Sequence, residues 1–444
     1  MNLIYGVKDK PKFGQMLIFA FQQVLAILAA TIAVPSIIGN GMSQSAALFG
    51  AGIGTLVYQL FTKRNSPVYL GSSFAFIGSM FAAFGGAASA SAGYTGLLFG
   101  AAFAGLVYVV IALVVKLVGV NWINKLMPPV VIGPTVAIIG LSLAGNAVGD
   151  LTTGKVLVEG VSACSPYVAL ICGLATLFAV ILFSVYGKKM IKLIPFILGI
   201  LVGYVVAAIF TVIGLATGNV ALQVIDFSVF ASMDIFSVPA FTFVEAAKGL
   251  KDIDGAFIAT VAVAYVPVAF VVFAEHIADH KNLSTIIGSD LLENPGLHNT
   301  LLGDGVGSIA GAFFGGCPNT TYGESVGCVA ITRNASVATI TTTAILCIVI
   351  SFFGPFVTFL ASIPNCVMGG VCITLYGFIA VSGLKMIQQV NLSASKNLFV
   401  AAVILITGIG GLSLTFGKVT LTSIACALIL GILVNVMVSK AKED

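Results

Sequence analysis

Three acidic residues lie inside or beside apolar runs of the sequence. Glu275 ends one such run, Asp279 follows four residues later, and Glu324 comes directly after a Pro-Asn-Thr-Thr-Tyr-Gly run at 318–323. An ionised carboxylate in a bilayer costs about 2.5 kcal/mol or more, so such acids are candidate functional groups. Residues four apart share one helix face, which puts Glu275 and Asp279 together. The alternatives are a buried acid held by a hydrogen bond for Glu275, and a helix-end acid near Lys281 for Asp279.

The composition requires a bilayer around these acids. Of the 444 residues, 59% are hydrophobic and only 8% are charged, whereas soluble chains carry about 25% charged residues. The apolar runs lack the alternation of β-barrel strands, so we predict an all-α integral membrane protein. Fourteen transmembrane segments are predicted at about 15–39, 44–62, 67–86, 94–115, 128–147, 166–186, 193–216, 254–277, 298–316, 318–332, 336–361, 364–383, 396–412 and 419–438.

The positive charges predict the orientation of these segments. With the N-terminus inside, sixteen of the 20 lysines and arginines fall on the cytoplasmic side and four on the other side. Cytoplasmic loops carry the excess of Lys and Arg. We therefore expect a multi-pass protein of the cell membrane with both termini in the cytoplasm.

A short internal repeat links the two halves of the chain. Residues 127–133 and 363–369 carry Pro, Val and Gly in register, 236 residues apart. Seven predicted segments separate the two copies, and an odd number gives the halves opposite orientations, as in the inverted repeats of secondary transporters. The pattern predicts a seven-plus-seven inverted repeat, although two Pro/Gly-containing segments can also agree by chance.

The third and tenth segments, which begin with the runs 67–76 and 318–324, correspond between the halves and are unlike ordinary spans. Each opens with Pro and continues with β-branched, aromatic and small polar residues. Because Pro lacks a backbone donor and Gly is a poor helix former, we expect extended backbone followed by a half-length helix. Such backbone is tolerated at membrane depth only inside protein or beside a cavity. Paired breaks predict a binding site; the alternative is a simple kink in each segment.

Several classes of function are excluded by the same residues. The eight cysteines are scattered without C-x-x-C spacing, and His276 and His280 have no third ligand at metal spacing. No nucleophile–base pair is evident, so we expect no enzyme, no catalytic residues, no metal and no cofactor. The net charge of +4 is spread along the chain, and nucleic acid is an unsuitable partner.

The sequence resembles the nucleobase-ascorbate transporter family, and most closely its uracil-type branch. The resemblance covers about residues 15–438. The motifs that carry it are Gln22-Gln23, Ala29-Ala30-Thr31 with Pro35, Leu70 to Phe76, Glu275-His276, Asn294 to His298, Pro318 to Glu324, and Ile331-Thr332-Arg333.

The resemblance implies import of uracil by alternating access, with short antiparallel strands in segments 3 and 10 and a possible homodimer. The acids in the apolar segments add the hypothesis that this import is coupled to protons. It implies a core domain (1–125 and 254–361), a gate domain (126–216 and 362–444) and an extracellular or interfacial segment (217–253). Protons would be carried by Glu275 and Asp279. The substrate-binding residues carried over by position are Ala30, Phe74, Glu275, Asp279, Gly323 and Glu324, with Tyr376 on the gate side and Tyr322 packed nearby.

Two departures keep other substrates open. Gln22-Gln23 stands where many relatives have Gln-His, and Asp279 stands where uracil-type members have His. Glu followed by Asp at this spacing resembles the xanthine branch, so a xanthine or purine transporter is the first alternative. An anion exchanger or channel of similar fold is the second.

Overall fold

The computed structural model describes residues 3–119, 122, 127–158, 160–188, 190–416 and 419–439. The predicted domain boundary at 125–126 and the tail 440–444 lie outside these residues. The described chain is mostly helical. Its helices, in chain order, are α1 (Phe13–Ile38), α2 (Gln44–Phe61), α3 (Ile77–Gly85), α4 (Ala90–Val118), α5 (Pro129–Ser142), α6 (Ala144–Asp150), α7 (Pro166–Tyr186), α8 (Met190–Leu193), α9 (Pro195–Thr217), α10 (Thr242–Gly249), α11 (Gly255–Ile287), α12 (Leu297–Gly315), α13 (Gly323–Thr332), α14 (Val337–Ile350), α15 (Gly354–Ser362), α16 (Asn365–Ile387), α17 (Ser395–Ile409) and α18 (Ser423–Val438).

Seven stretches of helix in this part of the chain are long and apolar enough to cross a membrane. They are α1, α4, α5 continued by α6, α7, α9, α11 and α16. Shorter apolar helices lie at Phe74–Gly85, Val337–Ile350, Ser395–Ile409 and Ser423–Val438. Most buried apolar side chains form one continuous cluster that runs through these helices.

Hydroxyl and carboxylate side chains begin several helices. Ser43, Ser89, Asp254, Ser336 and Thr422 each precede a helix and accept a hydrogen bond from a backbone N–H of its first turn. These N–H groups have no partner within the helix, and in lipid an unpaired one costs several kcal/mol. The caps therefore set where the apolar segments begin.

The chain is extended at both interrupted segments. Strand β1 (Leu70–Ser72) pairs antiparallel with β4 (Asn319–Thr321), so that Gly71 faces Thr320. The Leu70 N–H donates to Thr55 Oγ1 at 2.9 Å, and the Ser73 N–H donates to the Pro318 carbonyl at 2.9 Å. A single turn, Phe74–Phe76, and then α3 follow β1, and α13 follows β4. Each interrupted segment thus provides hydrogen-bond partners for the backbone of the other.

Glycines let two helix pairs approach closely. A Cβ on Gly50 of α2 would collide with the backbone of Gly311 in α12, and one on Gly140 of α5 would collide with the backbone of Tyr376 and Ala380 in α16. Small residues at membrane helix interfaces allow such backbone contact. The helices α2 and α12 pack beside the paired strands β1 and β4, and the helices α5 and α16 lie opposite these strands.

The structure also has features that the sequence did not indicate. Two further hairpins occur, β2 (Leu157–Val158) with β3 (Val161–Ser162) and β5 (Leu414–Phe416) with β6 (Val419–Leu421). The segment predicted at 336–361 is divided into α14 and α15, and that at 128–147 is divided between α5 and α6. The stretch 217–253 contains three short turns and α10.

Candidate functional site

A small cavity lies where the paired strands meet α5, α11, α13 and α16. Its volume, about 80 Å³, is well below the roughly 300–1,000 Å³ of pockets for drug-sized ligands. The lining residues are Ser73, Phe74, Ala75, Val136, Ile139, Glu275, Thr320, Thr321, Tyr322, Gly323, Glu324 and Ile379. The cavity therefore suits a ligand of about one ring.

Five of the residues singled out from the sequence line this cavity together: Phe74, Glu275, Tyr322, Gly323 and Glu324. They come from the turn after β1, from α11 and from the start of α13. The side chain of Glu275 is exposed, and that of Glu324 is half-buried. Two carboxylates and the backbone of two interrupted segments thus share one small space.

The other three predicted residues lie around the cavity rather than in its lining. Asp279 is next to it, because its Oδ2 accepts a hydrogen bond from Thr321 Oγ1 at 2.7 Å. The ring of Tyr376 meets that of Phe74 edge to face, with centroids 6.1 Å apart. Ala30 is buried in α1 and is not among the lining residues.

The start of α13 supplies hydrogen-bond donors. Glu324 lies in the first turn of this helix, where the N–H groups have no partner within the helix and the helix dipole favours negative charge. Tyr322 closes the other side, donating from its hydroxyl to the Ser72 carbonyl at 2.9 Å. Because its ring lies against Gly71, a side chain at that position would displace it.

A further contact ties the first span to the tenth. Gln23 donates from Nε2 to Ser325 Oγ, and the same hydroxyl accepts the Tyr69 N–H at 3.3 Å. In the sequence, Gln23 and Thr321 stood out only as parts of longer motifs, and Ser325 did not stand out. Their signal was weak, because Ser and Thr are common in membrane helices and their partners lie far away in the chain.

Both histidines of α11 lie behind the cavity in a buried hydrogen-bond network. His276 Nδ1 is 2.7 Å from Asp304 Oδ2, and His276 Nε2 is 2.9 Å from Thr300 Oγ1. His280 Nε2 is 2.7 Å from the Tyr58 hydroxyl. Asp304 was missed by sequence reasoning, although an acid within the glycine-rich run 303–311 was a usable signal. Among the described residues, no group of three or more metal-ligating side chains is placed to hold a metal ion.

A second, larger cavity lies at one end of α1, α2 and α16. It has a volume of about 480 Å³ and includes Ser36, Lys155 and Asn365 in its lining. Burial lowers the pKa of Lys155 below its ordinary value, and the nearby negative charge of Asp226 offsets only part of this shift. Asn365 stands at the start of α16, about 21 Å along the helix axis from Ile379, which lines the small cavity. The helix α16 therefore connects the two cavities.

A solved structure shows the same fold. The transmembrane domain of a cyanobacterium bicarbonate transporter, BicA, superimposes with a TM-score of 0.63 at 17% identity, covering 97% of this chain and 100% of that chain. The two proteins share a fold, and the apolar helices of this chain are those of a multi-pass membrane protein.

Sequence comparison then defines the family. The Permease family profile matches residues 14–417. The uracil permease of Bacillus caldolyticus is 38% identical over 437 residues, covering 98% of this chain and 94% of that protein. The uracil permease of Bacillus subtilis (strain 168) is 36% identical over 447 residues, covering 99% of this chain and 96% of that protein. The chain belongs to this permease family, that of the nucleobase-ascorbate transporters, and is a transporter rather than an enzyme.

Proposed function

We propose that this protein is a proton-coupled symporter that imports uracil across the cell membrane by alternating access. The observation that carries the proposal is the small cavity at the paired strand breaks, which is lined by Glu275, Glu324 and the backbone of Phe74 and Gly323. The names of the relatives, uracil permeases at 36% and 38% identity over nearly the whole chain, support the substrate.

Uracil is a planar ring with two N–H donors and two carbonyl acceptors. The carboxylates of Glu275 and Glu324 are acceptors for its N–H groups, and the N–H groups of Phe74 and Gly323 are donors for its carbonyls. The Phe74 ring offers an aromatic face. A site that pairs every polar edge rejects analogues without those groups, because its own buried groups would lose their partners.

Alternating access requires that the cavity lie between two bodies that move. Phe74, Glu275 and Glu324 come from the proposed core domain (1–125 and 254–361), whereas Val136 and Ile379 come from the proposed gate domain (126–216 and 362–444). The separate glycine contacts of α2 with α12 and of α5 with α16 support this division. Assembly as a homodimer is part of the same proposal.

The fourteen-segment inverted repeat belongs to this proposal too. Each of the fourteen apolar runs overlaps at least one described helix, whereas α10 lies outside them, and the two strand-bearing segments occupy equivalent places in the halves. With both termini in the cytoplasm, the larger cavity at Lys155 opens to the outside. We propose that it is the entry route to the site.

Glu275 and Asp279 are the proposed proton carriers, because both are carboxyl groups on the cavity side of α11. One charge moved through 100 mV is worth about 2.3 kcal/mol. That energy supports roughly 50-fold accumulation of a neutral base, at about 1.4 kcal/mol per tenfold.

Uptake by proteoliposomes under an inward proton gradient tests the proposal. We expect accumulation of labelled uracil, suppression by unlabelled uracil and weak competition by xanthine. Asp279 is the observation that favours a xanthine or purine transporter instead, and tighter competition by xanthine would assign that substrate. Anion exchange without uracil uptake would instead indicate an anion exchanger or channel. The two carboxylates that line the cavity disfavour that function.

A further inference from the structure

Residues 3–9, which we name the N-terminal strap, run beside the link between α13 and α14. The Arg333 carbonyl, at the end of α13, accepts the N–H groups of Ile4 and Tyr5 at 2.8 and 3.3 Å. Tyr5 pairs parallel with Asn334 in an isolated β-bridge. The first half of the strap is therefore hydrogen-bonded to the residues that end α13.

The second half of the strap is bonded to the start of α14. The Val7 carbonyl accepts the Val337 N–H at 3.1 Å. The Ser336 hydroxyl donates to the Asp9 carbonyl at 2.6 Å, and the same hydroxyl caps the first turn of α14. The strap thus holds the end of one helix and the beginning of the next.

One side of the strap is apolar and packs inward. Leu3 and Val7 pack against a buried hydrophobic cluster, separate from the main core, that includes Leu70 of β1 and Val326 of α13. Ile4, between them in sequence, is 51% exposed. The inward side chains of the strap therefore contact a cluster to which both interrupted segments contribute.

The helix α13 depends on such contacts for its position. It is ten residues long, or about 15 Å, and isolated helices shorter than about 12–15 residues are marginal. Gly323 and Glu324 at its start line the transport cavity. At its other end the helix carbonyls lack partners within the helix, and the strap supplies donors there. A shift of α13 at the strap would therefore move its cavity end.

Further contacts join the strap to neighbouring elements. The Tyr5 hydroxyl donates to Gln15 Oε1 of α1 at 2.7 Å. Lys8 Nζ donates to the Arg64 carbonyl, in the loop after α2, at 3.3 Å. Like α13, α14 and β1, these partners belong to the proposed core domain. The strap is therefore placed to move with the core domain during transport.

We propose that the N-terminal strap is a positioning element of the transport site, which holds α13 so that Gly323 and Glu324 face the cavity. Val7 is its positioning residue, because its carbonyl bonds to α14 and its side chain packs on the cluster that contains Val326. The strap acts through α13 and does not contact the substrate. This role rests on the proposed function, in which the cavity binds uracil.

Val7→Asp in the purified full chain tests this role, because it places a carboxylate against the apolar cluster. Hydrogen exchange measured by mass spectrometry should become faster at the amides of 326–332. Uracil affinity, measured by calorimetry, should fall about three- to thirtyfold, the range for substitutions coupled to a distant site. Val7→Ile keeps an apolar side chain and should retain both properties. The matched control is Ile4→Asp on the exposed side of the strap, which should change neither.

Val337→Pro tests the same hold through the backbone, should Val7→Asp fail to fold. It removes the N–H that Val7 accepts, at the first position of α14, where helices accept Pro. Ser336 is already extended, with φ −65° and ψ 120°, as a residue before Pro must be. We expect the same faster exchange in α13 and weaker uracil binding. Ser423→Pro, at the first position of α18, is the control and should leave both unchanged.

The two measurements separate a positioning role from a structural one. If the strap variants only lower the unfolding temperature, and the folded protein keeps its α13 exchange rates and uracil affinity, the positioning role is wrong. Faster exchange in α13 with unchanged uracil affinity would also overturn it. Absence of uracil binding by the unmodified protein would contradict the proposed function instead, and the exchange rates would still show whether the strap holds α13.

Discussion

Thr321 and Asp279 join the broken tenth segment to the long helix α11 through a hydrogen bond of 2.7 Å from Thr321 Oγ1 to Asp279 Oδ2. Thr321 is the last residue of strand β4, and it lines the cavity. Asp279 is one helical turn from Glu275. The contact therefore couples the position of the strand to the helix that carries both proposed proton carriers.

Removing this hydroxyl tests the coupling. Thr321→Val keeps the shape of the side chain but leaves Asp279 without this donor, at a cost of about 1.5–3 kcal/mol for a hydrogen bond to a charged group. We expect uracil affinity, measured by calorimetry, to fall about tenfold or more. Thr321→Ser keeps the hydroxyl and should retain most of the affinity. Equal affinities for the two variants would contradict a role for the hydrogen bond.

Glu275→Gln tests proton coupling. The amide fills the same space but cannot carry a proton, so uptake driven by a pH gradient should be lost in proteoliposomes. Exchange of internal for external uracil without a gradient should be affected less. Glu245→Gln is the control, because Glu245 lies in an exposed pair with Lys248. Active, gradient-driven uptake by Glu275→Gln would rule out this role.

Glu324→Ala tests substrate binding at the start of α13. It removes a hydrogen-bond acceptor from the cavity, and we expect uracil affinity to fall about 10- to 100-fold, equivalent to roughly 1.5–3 kcal/mol. Calorimetry on purified protein measures this change. Glu293→Ala, at an exposed position before α12, should bind uracil normally. Unchanged affinity in Glu324→Ala would count against a direct contact.

Gly71→Ala tests the packing of Tyr322 against β1. An added Cβ would collide with the Tyr322 ring, whereas at Gly78 the nearest atom would be Ile424 Cδ1 at 3.7 Å, an ordinary contact. Overpacking typically costs about 1–3 kcal/mol, so Gly71→Ala should lower the unfolding temperature and weaken uracil binding. Gly78→Ala should do neither. If both variants behave alike, the close packing at Gly71 is not important for the site.

Much of this organisation is visible in local sequence. The bilayer environment follows from composition, because a chain with 8% charged residues cannot cover its surface with polar groups. The extended backbone after Pro67 and Pro318 follows from the chemistry of Pro and Gly, which acts within a few residues. Glu275 and Glu324 stand out because a carboxylate in an apolar run is costly wherever the chain folds.

Tertiary structure decided which of these groups meet. The pairs Asp279 with Thr321 and Gln23 with Ser325 join residues 42 and 302 positions apart, and no local spacing specifies such contacts. Val136 and Ile379 complete the cavity wall, although each looks like any other apolar residue of a spanning helix. Asp304 gained its partner His276 only when α12 packed against α11. Local chemistry therefore determines which functional groups a segment carries, and long-range packing determines which other groups they contact.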